Sequence, residues 1–179
     1  MLNKILLLLI VVIAAILIVA AAQPAAYRVV RSATISAPPA VVFAQVNDLH
    51  AWQDFSPWAK LDPNVKNTYE GPRAGPGAAL AWDGNSKVGQ GRMTITESRP
   101  NELIRMKLDF IKPMESTSTT EFTFKPEGDK TRVSWSMSGE NNFIGKVFCL
   151  FMSMDKMVGG DFERGLANLN TVAAAAAKK

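Results

Sequence analysis

Cysteine and histidine are almost absent: the 179 residues hold one of each, Cys149 and His50. A lone cysteine has no partner in the chain, so a disulfide framework is excluded. Two such side chains do not furnish a Cys/His structural zinc site either. Histidine-assisted nucleophilic catalysis would have to rest on His50 alone, and its place at a predicted helix junction reads as structural or exposed. No glycine-rich loop follows a strand and opens a helix, which disfavours nucleotide binding. Gly75-Pro76-Gly77 and Gly89-Gln90-Gly91 read instead as turn glycines. Charge of one sign is not dominant, since 20 Lys+Arg against 16 Asp+Glu leave +4. That excess is too small and too scattered to indicate nucleic acid. The modest charge and the spread of aromatics exclude a disordered chain. No internal repeat is visible, and no residue set calls for a metal or cofactor.

Apolar residues are concentrated at the amino end. Ile5–Ala22 is an unbroken apolar run of 18 residues, which as a helix spans ~27 Å, near the thickness of a bilayer core. A buried soluble helix would show a polar face, and this one has none. The run is long for the apolar part of a signal peptide, although Ala20-Ala21-Ala22 resembles a cleavage region. Residues 1–24 therefore read as a transmembrane anchor, with a signal peptide as the alternative, and residues 25–179 as one domain. Lys4 and the amino terminus lie closer to the run than Arg28 and Arg31. That favours the amino terminus inside and the domain outside the cytoplasm.

Beyond Pro24 the pattern changes. Tyr27–Ser36 reads as a strand. Pro38-Pro39 then leads into a helix over Ala40–Leu49, with a short turn at His50–Asp54. From Val65 the chain predicts six strands: Val65–Glu70, Ala78–Trp82, Gly89–Arg99, Glu102–Ile111, Glu115–Lys125 and Thr131–Gly139. Turn residues between them recur at short spacing, which implies an antiparallel meander. Alternation assigns the faces. Leu80, Trp82, Met93, Ile95, Ile104, Met106, Leu108, Phe110, Phe122, Phe124, Val133, Trp135 and Met137 share an apolar face. Arg92, Arg105, Lys107, Asp109, Glu121, Lys125 and Arg132 share a wet one. The apolar face needs a cover, and Phe143–Asn170 supplies a helix with apolar residues at helical spacing. Asn141 or Asn142 suits its N-cap, and Gly159-Gly160 suits a bend.

This order of strand, two short helices, six strands and a long helix resembles the START-related SRPBCC superfamily, polyketide cyclase/dehydrase branch. The segments that carry the likeness are Arg31–Pro63, Phe110–Phe124, Trp135–Met152 and Asp161–Leu169. The resemblance covers about Tyr27–Thr171 and implies an α+β helix-grip fold, a seven-stranded antiparallel sheet wrapped around a long C-terminal helix. It also implies a cavity between sheet and helix for a lipid, quinone or other hydrophobic metabolite. It carries over no catalytic residue, because fold alone does not name chemistry.

The walls of that cavity would be Leu80, Trp82, Met93, Met106, Leu108, Phe122, Trp135 and Met137, faced by Phe151, Met154, Met157 and Val158. Methionine adapts to several shapes, which suits an apolar guest. The Phe55–Trp58 loop is placed as a lid, with Trp58 at the mouth, or as a staple of the short helices onto the sheet. Tyr69 is a further contact. The leading expectation is a membrane-tethered binding domain for a hydrophobic small molecule. A cyclase/dehydrase-like enzyme is the alternative, with Glu97 or Tyr69 as the polar group it would need. A third reading is a stress-related interaction protein without a small-molecule ligand, whose basic strand face meets acidic partners or anionic lipid headgroups. Cys149 reads as a small core residue.

Overall fold

The computed structural model describes residues 2–178. Helix α1 (Leu2–Ala22) has the length and composition of a membrane anchor or a signal sequence. Its large side chains from Ile5 onward are mostly exposed, so it lends no face to the core. Only Gln23, Pro24 and Ala25 separate it from strand β1 (Ala26–Ile35). Two short helices follow, α2 (Pro39–Asn47) and α3 (Trp52–Phe55). Pro39 opens α2, where its missing N–H is no loss. Six strands come next: β2 (Lys66–Glu70), β3 (Ala79–Asp83), β4 (Gln90–Arg99), β5 (Leu103–Lys112), β6 (Ser116–Glu127) and β7 (Lys130–Glu140).

All seven strands form one antiparallel sheet in the order β1-β7-β6-β5-β4-β3-β2. β2 to β7 are a meander, as the turn spacing predicts, and β1 closes the edge beside β7. The alternation holds across it. Met93, Ile104, Met106, Phe122, Val133 and Trp135 are buried on one face. On the other, Arg105 joins Glu121 (2.6 Å) and Glu97, Arg92 joins Glu70 (2.9 Å), and Lys107 joins Asp109 (3.0 Å). Three of the basic side chains on the wet face are thus already engaged by carboxylates.

The cover differs from the single helix expected over Phe143–Asn170. It is two helices, α4 (Phe143–Cys149) and α5 (Met154–Ala176). Asn142 caps α4 by accepting from the Gly145 backbone N–H (2.8 Å). The chain then breaks at Leu150–Ser153, and Ser153 caps α5 by accepting from the Lys156 N–H (3.4 Å). A serine with Asp155 in the first turn that follows is an N-terminal signal, and it overrides the apolar periodicity that runs through it. α5 packs across the apolar face, chiefly against β1 and α3. Gly159 and Gly160 both lie inside α5. A Cβ on Gly159 would collide with Arg31 Nη2, so this glycine lets helix and strand approach. There Arg31 holds Asp155 through two bonds (2.7 and 2.9 Å) and Glu163 through Nε (2.7 Å). This ties the start of α5 to the middle of β1.

Candidate ligand cavity

Between the first half of α5 and strands β3 to β7 lies a cavity of about 350 Å³, at the lower end of the range for small-molecule sites. Most of its surface is apolar because two periodicities converge on it. The strands contribute Leu80, Trp82, Met93, Leu108, Trp135 and Met137, and α5 contributes Met154, Met157 and Val158. Trp58 reaches it from the loop after α3, edge-on to Trp135 (6.0 Å) and Phe162 (6.4 Å). These ten expected wall residues are brought together by the fold.

Four others are not. Met106 and Phe122 are buried in the core proper, where α2 and α3 pack, and do not face the cavity. Phe151 falls in the break between α4 and α5 and is 74% exposed, so it faces away from the sheet. Tyr69 lies in a separate, smaller hollow of about 260 Å³, stacked on His50 at 3.9 Å. Desolvation, then the nearby Asp48 carboxylate, pushes the Tyr69 hydroxyl above its ordinary range. Burial works against the Asp48 charge, but hydrogen bonds from Arg73 and from the His50 backbone hold that carboxyl below its usual value. Asp48 binds Arg73 Nε (2.6 Å) and His50 Nδ1 (3.2 Å), which makes the group a surface cluster.

Several lining residues escape sequence reasoning. Ser116 and Thr120 line the cavity with the parity of Phe122, so the alternation of β6 already points them inward. Tyr27 is similar on β1, where Tyr27, Val29, Ala33 and Ile35 share a face interrupted by the single charge of Arg31. The Tyr27 hydroxyl pairs with Ser118 Oγ (2.7 Å). Gly139 leaves room for that ring, since a Cβ there would sit 2.7 Å from the tyrosine oxygen. Gly91 does the same for Trp82, and it lies in β4 rather than in a turn. Trp82 is oriented by its indole N–H, which donates to Val88 O (3.1 Å). Gln53 comes from the single turn of α3, Asn67 from the edge strand β2, and Ser86 and Lys87 from the β3–β4 loop, where no periodicity signals them.

One buried polar group stands out. Trp135 is 2% exposed and stacked flat on Phe162 (4.3 Å), and its Nε1 has no hydrogen-bond partner among the described residues. No aspartate, glutamate or histidine lines the cavity among the described residues. Glu97 is on the outer face with Arg99 and Arg105. The Phe55–Trp58 loop is stapled rather than free. Phe55 is fully buried, its carbonyl accepts from Asn168 Nδ2 (3.2 Å), and Pro57 packs beside Gly165 of α5.

Sequence comparison agrees with this architecture. A family described as polyketide cyclase / dehydrase and lipid transport matches residues 26–174, that is, β1 through nearly all of α5. The chain belongs to this family. Membership in the polyketide cyclase / dehydrase and lipid transport family supports a hydrophobic ligand-binding domain. No curated protein matches the chain in sequence. Solved structures share the helix-grip fold at low identity. TTHA0849 from Thermus thermophilus has TM-score 0.60 and 19% identity, with 84% of this chain and 99% of that one covered. CV1439 from Chromobacterium violaceum has TM-score 0.56 and 18% identity, covering 85% and 99%. MLL2253 from Mesorhizobium loti has TM-score 0.58 and 16% identity, covering 82% and 96%.

Proposed function

We propose that residues 25–179 form a binding domain that holds one hydrophobic small molecule, and that residues 1–24 tether it to a membrane. The observation that carries this reading is the cavity itself. It is apolar along the strands and α5, and its polar groups are hydroxyls, amides and the ammonium groups of Lys87 and Lys112 at its exposed rim. Such a lining fits a guest with an oily body and a polar end, as a lipid, a quinone or a polyketide-like compound has. Trp58, Tyr27, Leu80, Trp82, Met93, Leu108, Trp135, Met137, Met154, Met157 and Val158 are the contacts. The tether supports the same reading. It confines the cavity to the layer in which such molecules dissolve.

The test is to purify residues 25–179 without detergent, extract with organic solvent and identify what is released by mass spectrometry. The expected result is a co-purifying apolar compound with an oxygen acceptor, together with quenching of tryptophan fluorescence when it is added back. An empty extract, and no fluorescence response to a panel of fatty acids, quinones and aromatic polyketides, would refute the proposal.

A further inference from the structure

We infer that α4 and the break after it, together with the β5–β6 turn, form a surface that docks on the lipid bilayer and seats the cavity mouth against it. This rests on the reading of α1 as a membrane tether. Pairing along the sheet sets Ala26 beside Glu140, Gly139 beside Ser118, Ser116 beside Phe110, and Lys112 beside Gln90. The start of β1, the end of β7, the β5–β6 turn and the start of β4 therefore lie at one end of the sheet. The exposed members of the cavity lining are Ser86, Lys87, Lys112, Pro113, Ser116 and Met157, so the cavity opens at this end. The three residues Gln23–Ala25 link this same end to α1, and three residues reach at most ~10 Å.

The surface around the mouth is apolar where solvent would favour charge. Outside α1, eight of the ten large apolar side chains that stay exposed among the described residues belong to α4, the break, the first turn of α5, the end of β5 and the β5–β6 turn. Phe143, Ile144 and Phe148 come from α4, and Phe151 and Met152 from the break. Ile111 adds to them from the end of β5 and Met114 from the β5–β6 turn. α4 packs against the end of α1, where Ala20 is fully buried and Lys146 Nζ reaches the Ala21 carbonyl (3.5 Å). The patch is thus continuous with the helix that enters the bilayer. Contiguous exposed apolar surface marks a partner, and here the covering partner is the lipid into which α1 inserts. A guest then passes between acyl chains and cavity without crossing water.

The test uses the full chain in phosphatidylcholine vesicles, with Cys149→Ser and single bimane labels at Phe148→Cys, Phe151→Cys, Leu9→Cys or Lys125→Cys. Lys125 is at the opposite end of β6. Labels at 148 and 151 are expected to be quenched several-fold more by acyl-brominated lipid than the label at 125, and to be shielded from aqueous iodide. Iodide access at 151 equal to that at 125, with the label at 9 embedded, overturns the docking surface and leaves the tether standing. A label at 151 shielded from both quenchers shows a second protein copy on the patch instead of lipid, which also overturns it. A label at 9 that meets water, or is lost with a cleaved segment, overturns tether and docking together.

Discussion

At the scale of single residues, Arg31 and Gly159 decide how α5 meets β1. Arg31 is the one charge on the inward face of β1, and it is tolerated because Asp155 and Glu163 face it at 2.7 Å. The bidentate fork fits a carboxylate, and the glycine leaves the space it needs. Gly159→Ala would place a methyl on the guanidinium. The expected outcome is a loss of about 1–3 kcal/mol, with α5 displaced at its start, checked by denaturant unfolding. The hydrogen bond and charge of Arg31 hold the Asp155 carboxyl below its ordinary value. A lowered carboxyl value contributes stability at neutral pH, and that contribution disappears as pH falls through the native value. Asp155→Asn is therefore expected to lower the melting temperature at pH 7. The difference from the unaltered chain should shrink once pH drops below about 4, the unperturbed carboxylate range. A gap that stays constant from pH 7 to pH 3 would show that the pair contributes nothing through charge.

At the scale of elements, α5 both roofs the sheet and lines the cavity, with Phe162 at the junction of the two tasks. Phe162, Leu166, Leu169 and Ala173 are buried against the sheet and the short helices. Met154, Met157 and Val158, one to two turns earlier, face the open volume. Filling that volume separates binding from folding. Val158→Phe is expected to weaken uptake of an apolar probe at least tenfold, about 1.4 kcal/mol. Its unfolding free energy should stay within about 1.5 kcal/mol, because the added ring enters free space and strains no packed core. Titration of tryptophan fluorescence and denaturant melts on the same sample would check both halves. Ser153 has the opposite profile. Its side chain caps α5 (3.4 Å) and it lines no cavity, so Ser153→Ala should cost about 1 kcal/mol and leave affinity unchanged.

At the scale of the whole molecule, an apolar helix, a short link and a cavity mouth are stacked at one end. The basic strand face lies apart, with Arg92, Arg105 and Lys107 paired to carboxylates. The full chain is expected to sediment with membranes and to resist extraction by salt or alkali, yet to be released by detergent. Its measured mass should retain α1. A shortened, freely soluble product would show that α1 is a cleaved signal segment.

Much of this was legible in the sequence, for reasons that can be named. Polarity period alone determined the seven strands, their inward and outward residues and the apolar first helix. A pleat alternates at every residue, and a bilayer-length apolar run admits few other roles. The same period carried Ser116 and Thr120 inward with Phe122, although their polarity hid them. Tertiary structure decided what period does not encode: where a regular face stops being core and becomes cavity. Met106 and Met93 share a sheet face, yet the first is fully buried within the core while the second borders the cavity. It also decided that Phe151, in step with a helical repeat, belongs to no helix, because the Ser153 cap restarts the chain in a new direction. Which end of the sheet holds the mouth followed from strand pairing, since register relates residues far apart in the chain.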